Sequence, residues 1–386
     1  MQKRGNGVKN GKNGFKNIFR LGQSSLYNDI GSEMITPLIP FYTTALGGGG
    51  VAVGLISGLR EGLASLFKIF GGWFSDRIGK RMPFIFFGYL FSVISRFFLS
   101  FANSWQMIIA FISLERFGKL RDAPRDVIIV QSTKKRGKGF GIHQAMDVIG
   151  GIIGTLLVIL LFWKLQLEMK TIILIAAGIS AFSLIPLFFV KEKKTKKIKK
   201  SLIVGIKELN PKLKYFILTA SVFTLGNFGL YLFLLLRVQE LTGSVVLPLV
   251  VYAVFNVVYA AFVIPFGSLS DKIGRKNVLM MGYVLFFIVG LGLIYLQSAV
   301  YVSALFIIYG LVYAITQSNH RAFVSDLSGE MKGTALGFFS SIVGIVNIAG
   351  GLIAGLLWDV SHHTMFIYIS IVAFVSVFLL SFVKRR

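Results

Sequence analysis

Two short stretches decide the fold of this chain, 72-GWFSDRIGKR-81 and 267-GSLSDKIGRK-276. Both follow the pattern G-x-x-x-D-R/K-x-G-R/K-R/K, and each lies between two long apolar runs. When the copies are aligned on Asp76 and Asp271, the offset between them is 195 residues. A second pair of landmarks, 137-GKGFG-141 and 333-GTALG-337, gives an offset of 196 residues. This agreement indicates an internal duplication of the chain.

The rest of the sequence has the composition of a membrane protein. Of its 386 residues, 55% are hydrophobic and only 15% are charged, whereas a soluble domain has about 25% charged residues. About 20 apolar residues span a bilayer core, and runs of this length recur from end to end. We therefore predict twelve spanning segments, six in each half, at 18–42, 50–73, 83–101, 105–126, 140–163, 170–190, 212–236, 246–269, 278–296, 299–322, 334–358 and 363–383.

The distribution of basic residues predicts the orientation of the chain. Although the net charge is +25, no basic residue lies in 43–50, 101–105 or 297–300. This alternation is typical of membrane proteins, whose cytoplasmic loops carry the lysines and arginines, and it argues against a nucleic-acid surface. We expect an integral plasma-membrane protein with both termini in the cytoplasm. The predicted parts are a basic cytoplasmic tail (1–17), a six-helix bundle (18–190), a cytoplasmic linker (191–211) and a second six-helix bundle (212–386).

Several functional classes are disfavoured by the sequence. The chain has no cysteine, which excludes disulfides and thiolate metal sites. Its four histidines lack the spacing of a metal site, and no Gly-Lys-Ser/Thr phosphate loop occurs. No nucleophile–base set stands out either. We therefore expect no metal, no cofactor and no enzymatic activity.

The duplicated loop resembles the signature loop of the major facilitator superfamily. Four other stretches resemble a poorly characterised prokaryotic permease branch of that superfamily, namely 29-DIGSEMITPLIP-40, 116-RFGKLRDAPRD-126, 143-HQAMD-147 and 236-LRVQE-240. The resemblance implies two pseudo-symmetric six-helix bundles and alternating access of a small molecule to a central cavity, in a protein that works as a monomer. Leu120 and Thr155 depart from related patterns, and Thr155 weakens an assignment as a drug/proton antiporter.

The resemblance also implies a cytoplasmic gate. Asp76 would meet the start of the eleventh segment and Asp271 the start of the fifth, where unpaired amides and the positive helix end attract a carboxylate. Neighbouring basic residues can pair with carboxylates and with anionic lipid headgroups. The alternative is that these charges only set topology. The expected gate residues are Gly72, Asp76, Arg77, Gly79, Lys80, Arg81 and Asp126, with Gly267, Asp271, Lys272, Gly274 and Arg275 in the second half.

Charged residues inside the spans belong mostly to the first half of the chain, whereas the second half offers mainly amides. Ionisable groups within a bilayer are costly, and they are candidates for function by default. We expect Asp29, Glu33 and Glu61 to face the central cavity, with Arg116 close by. The full set of residues predicted to act in proton coupling or substrate binding is Asp29, Glu33, Glu61, Glu115, Arg116, Asp147, Asn227 and Asn256.

Two interpretations of these charges stay open. A buried acid that changes partner between two conformations can take up a proton on one side and release it on the other. This favours a secondary active transporter that exports a small solute in exchange for protons. A static salt-bridge network would neutralise the same charges.

Two alternative functions also stay open. One is a proton symporter or facilitator that imports an anionic metabolite, which Arg60 and Arg116 would suit. The other is a membrane sensor or assembly factor that transports nothing.

Overall fold

The computed structural model describes residues 2–133, 136–192, 209–296, 298–329 and 332–383. Within these ranges the chain forms fifteen α-helices, three 3₁₀ helices and no β-strand. The basic run at 193–208, which makes up most of the predicted linker, lies outside the described residues. The α-helices are α1 (Gln2–Ile35), α2 (Ile39–Ala45), α3 (Gly50–Ile78), α4 (Met82–Leu99), α5 (Trp105–Phe117), α6 (Asp122–Ser132), α7 (Arg136–Trp163), α8 (Met169–Ala181), α9 (Pro211–Gly226), α10 (Tyr231–Thr242), α11 (Val246–Ile273), α12 (Arg275–Tyr295), α13 (Ala299–Leu327), α14 (Lys332–Val360) and α15 (His362–Phe382).

These helices make up the twelve predicted spanning segments, and four of the segments are not continuous α-helices. Two are interrupted by 3₁₀ helices at Thr36–Leu38 and Gly118–Arg121, the sixth ends in a 3₁₀ helix at Phe182–Phe189, and the seventh is broken between α9 and α10. Among the described residues, ten segments are long and apolar enough to cross a membrane. The first and fourth segments do not meet this measure, and they carry many of the charged residues noted above.

Close contacts divide the chain into two compact units. The first unit contains Met1–Leu38, Leu66–Asn103 and Ala110–Lys200. The second unit contains Ile39–Ser65, Ser104–Ile109 and Ser201–Arg386. Helix α3 therefore contributes its beginning to the second unit and its end to the first.

Equivalent segments pack together in both units. In the first unit α1 packs on α7 and α4 on α8, and in the second unit α9 packs on α14 and α12 on α15. A Cβ atom on Gly150 would lie 2.6 Å from the carbonyl oxygen of Leu26, and one on Gly350 would lie 2.8 Å from that of Leu225. Small residues allow membrane helices to approach this closely. The repeated packing agrees with the duplication predicted from the signature loops.

The start of α3 and helix α14 make a close glycine contact inside the second unit. A Cβ atom added to Gly54 would collide with the carbonyl oxygen of Gly351. One turn further along, a Cβ atom on Gly58 would lie 2.5 Å from the carbonyl oxygen of Asn347. Because these neighbours are backbone atoms, they cannot move aside as a flexible side chain would.

A carboxylate strengthens this contact at the end of α14. Asp359 accepts hydrogen bonds from the backbone N–H groups of Gly50 (2.5 Å) and Val51 (3.0 Å). These amides begin α3 and have no partner within the helix. The negative charge of Asp359 also lies at the positive end of the α3 dipole. The helix start is thus held both by packing and by charge.

Substitution of Gly54 by alanine should destabilise the protein, because the added methyl group overpacks the α3–α14 contact at a cost of about 1–3 kcal/mol. The midpoint of thermal unfolding in detergent would measure the effect. Gly178→Ala is the matched control, since Gly178 is also helical and a Cβ atom there meets nothing within 4 Å. Equal midpoints for the two variants would contradict the backbone contact.

Candidate functional site

The seventh segment is broken where the chain passes from α9 to α10. Helix α9 ends at Gly226, and Gly229 has a φ of 93°, a conformation that side chains other than glycine rarely adopt. The hydroxyl group of Ser57, on α3, donates to the carbonyl oxygens of Phe228 (2.9 Å) and Gly229 (2.8 Å). Non-helical backbone at membrane depth is tolerated where the protein satisfies it or where it lines a cavity. Ser57 provides such a partner.

A cavity of about 100 Å³ lies beside this break, inside the second unit. Its walls come from the start of α3 and from α9, α13 and α14. The lining is mainly polar, with one carboxylate, one guanidinium, three amides, several hydroxyls and a wall of aromatic rings. The lining residues are Glu61, Ser65, Phe223, Thr224, Asn227, Tyr313, Thr316, Gln317, His320, Arg321, Phe339, Ser340, Val343 and Asn347.

Two tyrosines of α13 organise the polar side of the cavity. The hydroxyl group of Tyr309 donates to Oδ1 of Asn227, which leaves the NH₂ group of that amide as its donor. The rings of Tyr309 and Tyr313 meet edge to face, with centroids 5.2 Å apart. Tyr313 lines the cavity together with Glu61 and Asn227. The two tyrosines therefore position the amide of Asn227 on the polar side of the cavity.

The aromatic wall of the cavity surrounds a histidine. Nε2 of His320 lies 2.8 Å from the hydroxyl oxygen of Tyr283. The rings of Phe216, Phe223 and Phe339 lie around the imidazole, with centroids 6.1, 5.6 and 6.3 Å from it. This wall is therefore flat and apolar, and these two polar atoms of His320 and Tyr283 hydrogen-bond to each other.

Charged residues of the first half form a buried polar chain in the first unit. Arg96 on α4 donates to Glu115 (2.7 Å), to the hydroxyl group of Ser180 (2.7 Å) and to the carbonyl oxygen of Asn28 (2.9 Å). The second carboxylate oxygen of Glu115 accepts from Arg116. Arg96 is only 2% exposed. One guanidinium thus connects α1, α4, α5 and α8.

The predicted acids of the first and fifth segments lie along the α1–α7 contact. Asp29 accepts a hydrogen bond from the side chain of Asn28 (2.9 Å). Glu33 packs against α7, where a Cβ atom on Gly154 would lie 3.1 Å from that of Glu33. Asp147, on α7, lies 3.2 Å from Nδ1 of His143.

The structure therefore divides the eight predicted coupling or substrate residues among several places. Glu61 and Asn227 line the cavity of the second unit, whose lining does not include Asp29, Glu33 or Asp147. Glu115 and Arg116 belong to the buried polar chain. Asn256 lies on α11, and its Nδ2 atom is buried with no hydrogen-bond partner among the described residues.

The two signature loops form equivalent turns. Helix α3 ends at Ile78 and α11 ends at Ile273, and each is followed by a glycine with positive φ, 78° at Gly79 and 92° at Gly274. The carbonyl oxygens of Gly72 and Gly267 accept hydrogen bonds from serines three residues later. Lys80 and Lys272 are exposed. The motif glycines after each helix are thus required by backbone geometry.

The aspartates of the signature loops pair with basic residues of the same loops. Asp76 lies 3.0 Å from Arg81, and Asp271 lies 3.0 Å from Arg275. Arg275 also binds Asp326 near the end of α13, at 2.7 Å. Each loop is therefore held within its own unit by at least one ion pair.

Asp126 pairs with Arg125 (3.2 Å) and lies 4.0 Å from Lys68 on α3. The resemblance places Asp126 in the gate with Asp76 and Arg77, and this role stays a prediction. Among the described residues of the first unit, Asp126 approaches α3 at Lys68.

Several residues that hold the structure were missed by sequence reasoning. The break at Gly229 had a signal, since 226-GNFG-229 places two glycines and an amide inside a span. No such signal exists for Glu192, because it lies in a run of charged residues that reads as a linker. Its carboxylate accepts hydrogen bonds from the backbone N–H groups of Arg81 (2.5 Å) and Met82 (3.1 Å) at the start of α4.

A duplicated set of membrane helices with a polar cavity beside a broken helix is the architecture of a secondary transporter. The family model described as Major Facilitator Superfamily matches residues 24–253 and 216–386. The chain belongs to the major facilitator superfamily. It is a multi-pass membrane transporter of small molecules and not an enzyme.

Relatives and solved structures agree with this assignment. The chain is 45% identical to an uncharacterised MFS-type transporter of Methanocaldococcus jannaschii, over 95% of each chain. It is 24% identical to the multidrug resistance protein MdtH of Baumannia cicadellinicola, over 86% of this chain and 82% of that one. Its fold is similar to the crystal structure of the nucleoside transporter NupG, with a TM-score of 0.78, 14% identity and coverage of 96% of this chain and 99% of that one.

Neutralising Glu115 should destabilise the first unit strongly, because Glu115→Gln leaves Arg96 and Arg116 as two buried cations without their shared carboxylate. Breaking a buried pair in this way costs about 3–5 kcal/mol. Adding Arg96→Met to that variant should cost less than Arg96→Met costs in the wild type, and a double-mutant cycle on unfolding midpoints measures the difference.

The matched control is Glu240→Gln, which removes a half-exposed partner of Arg237. An exposed pair contributes about 0.2–1 kcal/mol, so this change should be small. Additive effects of Glu115→Gln and Arg96→Met would contradict the buried chain.

Proposed function

We propose that the protein exports a small polar solute in exchange for protons, with Glu61 as the acid of the solute site. The observation that supports this is the position of Glu61. It is the only carboxylate among the described residues that line the cavity, where it lies beside amides and hydroxyl groups within the spanning region.

The chemistry of such a carboxylate suits exchange. Inside a membrane an ionised acid is costly unless it is neutralised. A proton can neutralise it, and so can a cationic or hydrogen-bond-donating group of a solute, but both cannot occupy the same oxygen atoms together. Competition between proton and solute for Glu61 therefore links the entry of one to the departure of the other.

The polar lining gives the rest of the solute its partners. Asn227 and Gln317 can both donate and accept hydrogen bonds, and the rings of Phe223 and Phe339 can pack against a flat apolar part. Asp29 and Glu33, on α1, are the acids that we propose to assist coupling.

The proposed direction of transport and membrane location rest on other observations. Export is supported by the relatives described as multidrug resistance proteins. The alternation of basic loops supports a location in the plasma membrane with both termini in the cytoplasm. We further propose that the protein acts as a monomer, and that the signature loops form a cytoplasmic gate.

One observation favours a second candidate function. Arg321 lines the same cavity as Glu61, and a guanidinium group is well suited to bind a carboxylate or phosphate. With Glu61 protonated, the cavity would favour an anion, and the protein would import an anionic metabolite together with protons.

Replacement of Glu61 by glutamine should greatly slow proton exchange. Purified protein would be placed in liposomes that contain a pH-sensitive dye, and ethidium, uridine and succinate would be added as cationic, neutral and anionic probes. We expect at least one probe to drive proton movement in the wild type. Loss of a hydrogen bond to a charged group costs about 1.5–3 kcal/mol, so Glu61→Gln should slow that movement about tenfold or more.

The matched control is Glu168→Gln, which changes an exposed glutamate at the start of α8 and should keep the wild-type rate. The double variant Asp29→Asn, Glu33→Gln tests the proposed assisting acids in the same assay. Succinate-driven proton uptake into the same compartment as the solute would favour the import alternative. Probe movement without any proton movement would contradict coupling.

A further inference from the structure

The first unit contains a second group of titratable side chains, on α7 where it packs against α1. His143 and Asp147 are four residues apart, one helical turn, so they share a face of the helix. Nδ1 of His143 lies 3.2 Å from a carboxylate oxygen of Asp147, and the two side chains are 5% and 23% exposed. A buried histidine–carboxylate pair is therefore built into a spanning helix.

The geometry assigns the hydrogen atoms of this pair. An ionised carboxylate only accepts hydrogen bonds, so Nδ1 of the neutral imidazole carries the hydrogen atom that faces Asp147. Nε2 then holds a free lone pair. This atom is buried and has no hydrogen-bond partner among the described residues. It is a position at which one proton can be added without breaking an existing hydrogen bond.

The groups that face the pair come from three helices. On α1, the hydroxyl group of Ser25 and the carboxylate of Asp29 both lie near Asp147. Arg125 on α6 and the hydroxyl group of Tyr89 on α4 also lie within electrostatic range of Asp147. Besides the pair itself, the charged groups at this place among the described residues are therefore one further carboxylate and one guanidinium.

Helix α8 also packs against α7 but adds no charge to the pair. Its titratable side chain, Lys170, lies at the first turn of the helix and donates to Asn103 at 3.0 Å.

Asp147 differs from Glu115 in the kind of partner that it has. Glu115 is paired with two arginines, which remain protonated at all physiological pH values. The partner of Asp147 is the side chain that changes charge most readily near neutral pH.

We propose that His143 and Asp147 form a second proton-binding site for this exchange, in addition to Glu61, at which proton and solute compete. The proton adds to Nε2 while Nδ1 keeps its hydrogen atom, so the charge of the pair changes from −1 to 0. This inference rests on the proposed proton exchange for its role in transport. Binding of the proton itself can be measured without any solute.

Nitrogen-15 NMR of protein labelled at its histidines tests the site directly in lipid nanodiscs. The chain has four histidines, and the signal missing from His143→Gln identifies residue 143. We expect this histidine to carry hydrogen on Nδ1 at high pH and to gain a second N–H on Nε2 as the pH is lowered over the range in which the protein stays folded. In Asp147→Asn the preference for hydrogen on Nδ1 should be lost. His363→Gln, an exposed change, is the control.

If His143 keeps one protonation state throughout this range, the proposal is overturned. A neutral form with hydrogen on Nε2 would also overturn it.

The liposome assay with ethidium, uridine and succinate separates this result from the proposed function. Absence of probe-driven proton movement in the wild type contradicts the proposed function, while the NMR titration still decides whether the pair binds a proton. Wild-type proton movement that persists in full in His143→Gln overturns the role of the pair and leaves proton exchange intact. Loss in His143→Gln with retention in His363→Gln supports it.

Discussion

Within a bilayer, the protein itself must satisfy almost every charged or polar group, because hydrocarbon offers no hydrogen bonds. The first unit meets this constraint through Arg96, whose guanidinium binds a carboxylate, a hydroxyl group and a backbone carbonyl group on three other helices. The second unit meets it through Ser57, whose hydroxyl group lies within hydrogen-bond distance of the carbonyl oxygens of Phe228 and Gly229 at the break between α9 and α10. Several buried polar atoms have no hydrogen-bond partner among the described residues, and Nε2 of His143 is one of them. We assign a proton-binding site to His143, and the solute site to the cavity that Glu61 lines.

Close backbone packing makes this arrangement possible. Glycines bring α7 against α1 and α14 against α9 and α3. The short side chain of Ser57 on α3 likewise reaches main-chain atoms at the break between α9 and α10. The same approach carries Glu61 on α3 into the cavity of the second unit. A larger residue in the α3–α14 contact would separate α3 from α14, which supplies one wall of that cavity. Packing and chemistry therefore depend on the same few small residues.

The sequence predicted the architecture well, because duplication, span length and loop charge are properties of the chain in one dimension. It also named Glu61 and Asn227, which the structure places in one cavity although they belong to different halves of the chain. It could not predict the partners of the buried charges. Apolar stretches do not determine helix rotation, so nothing in the sequence indicated that Arg96 would bind Glu115. The break of the seventh segment was also missed, since mean hydropathy hides two glycines inside a span.

The most direct test of the central claim asks whether water-soluble molecules reach the cavity. The chain has no cysteine, so single cysteines can be introduced without removing others. Ser340→Cys places a thiol in the cavity lining, and Ile264→Cys places one on the exposed apolar surface of α11. A charged, membrane-impermeant thiosulfonate reagent applied to protein in liposomes should modify the first thiol and leave the second unmodified. Equal lack of reaction at both positions would contradict the assignment of this cavity as the solute site.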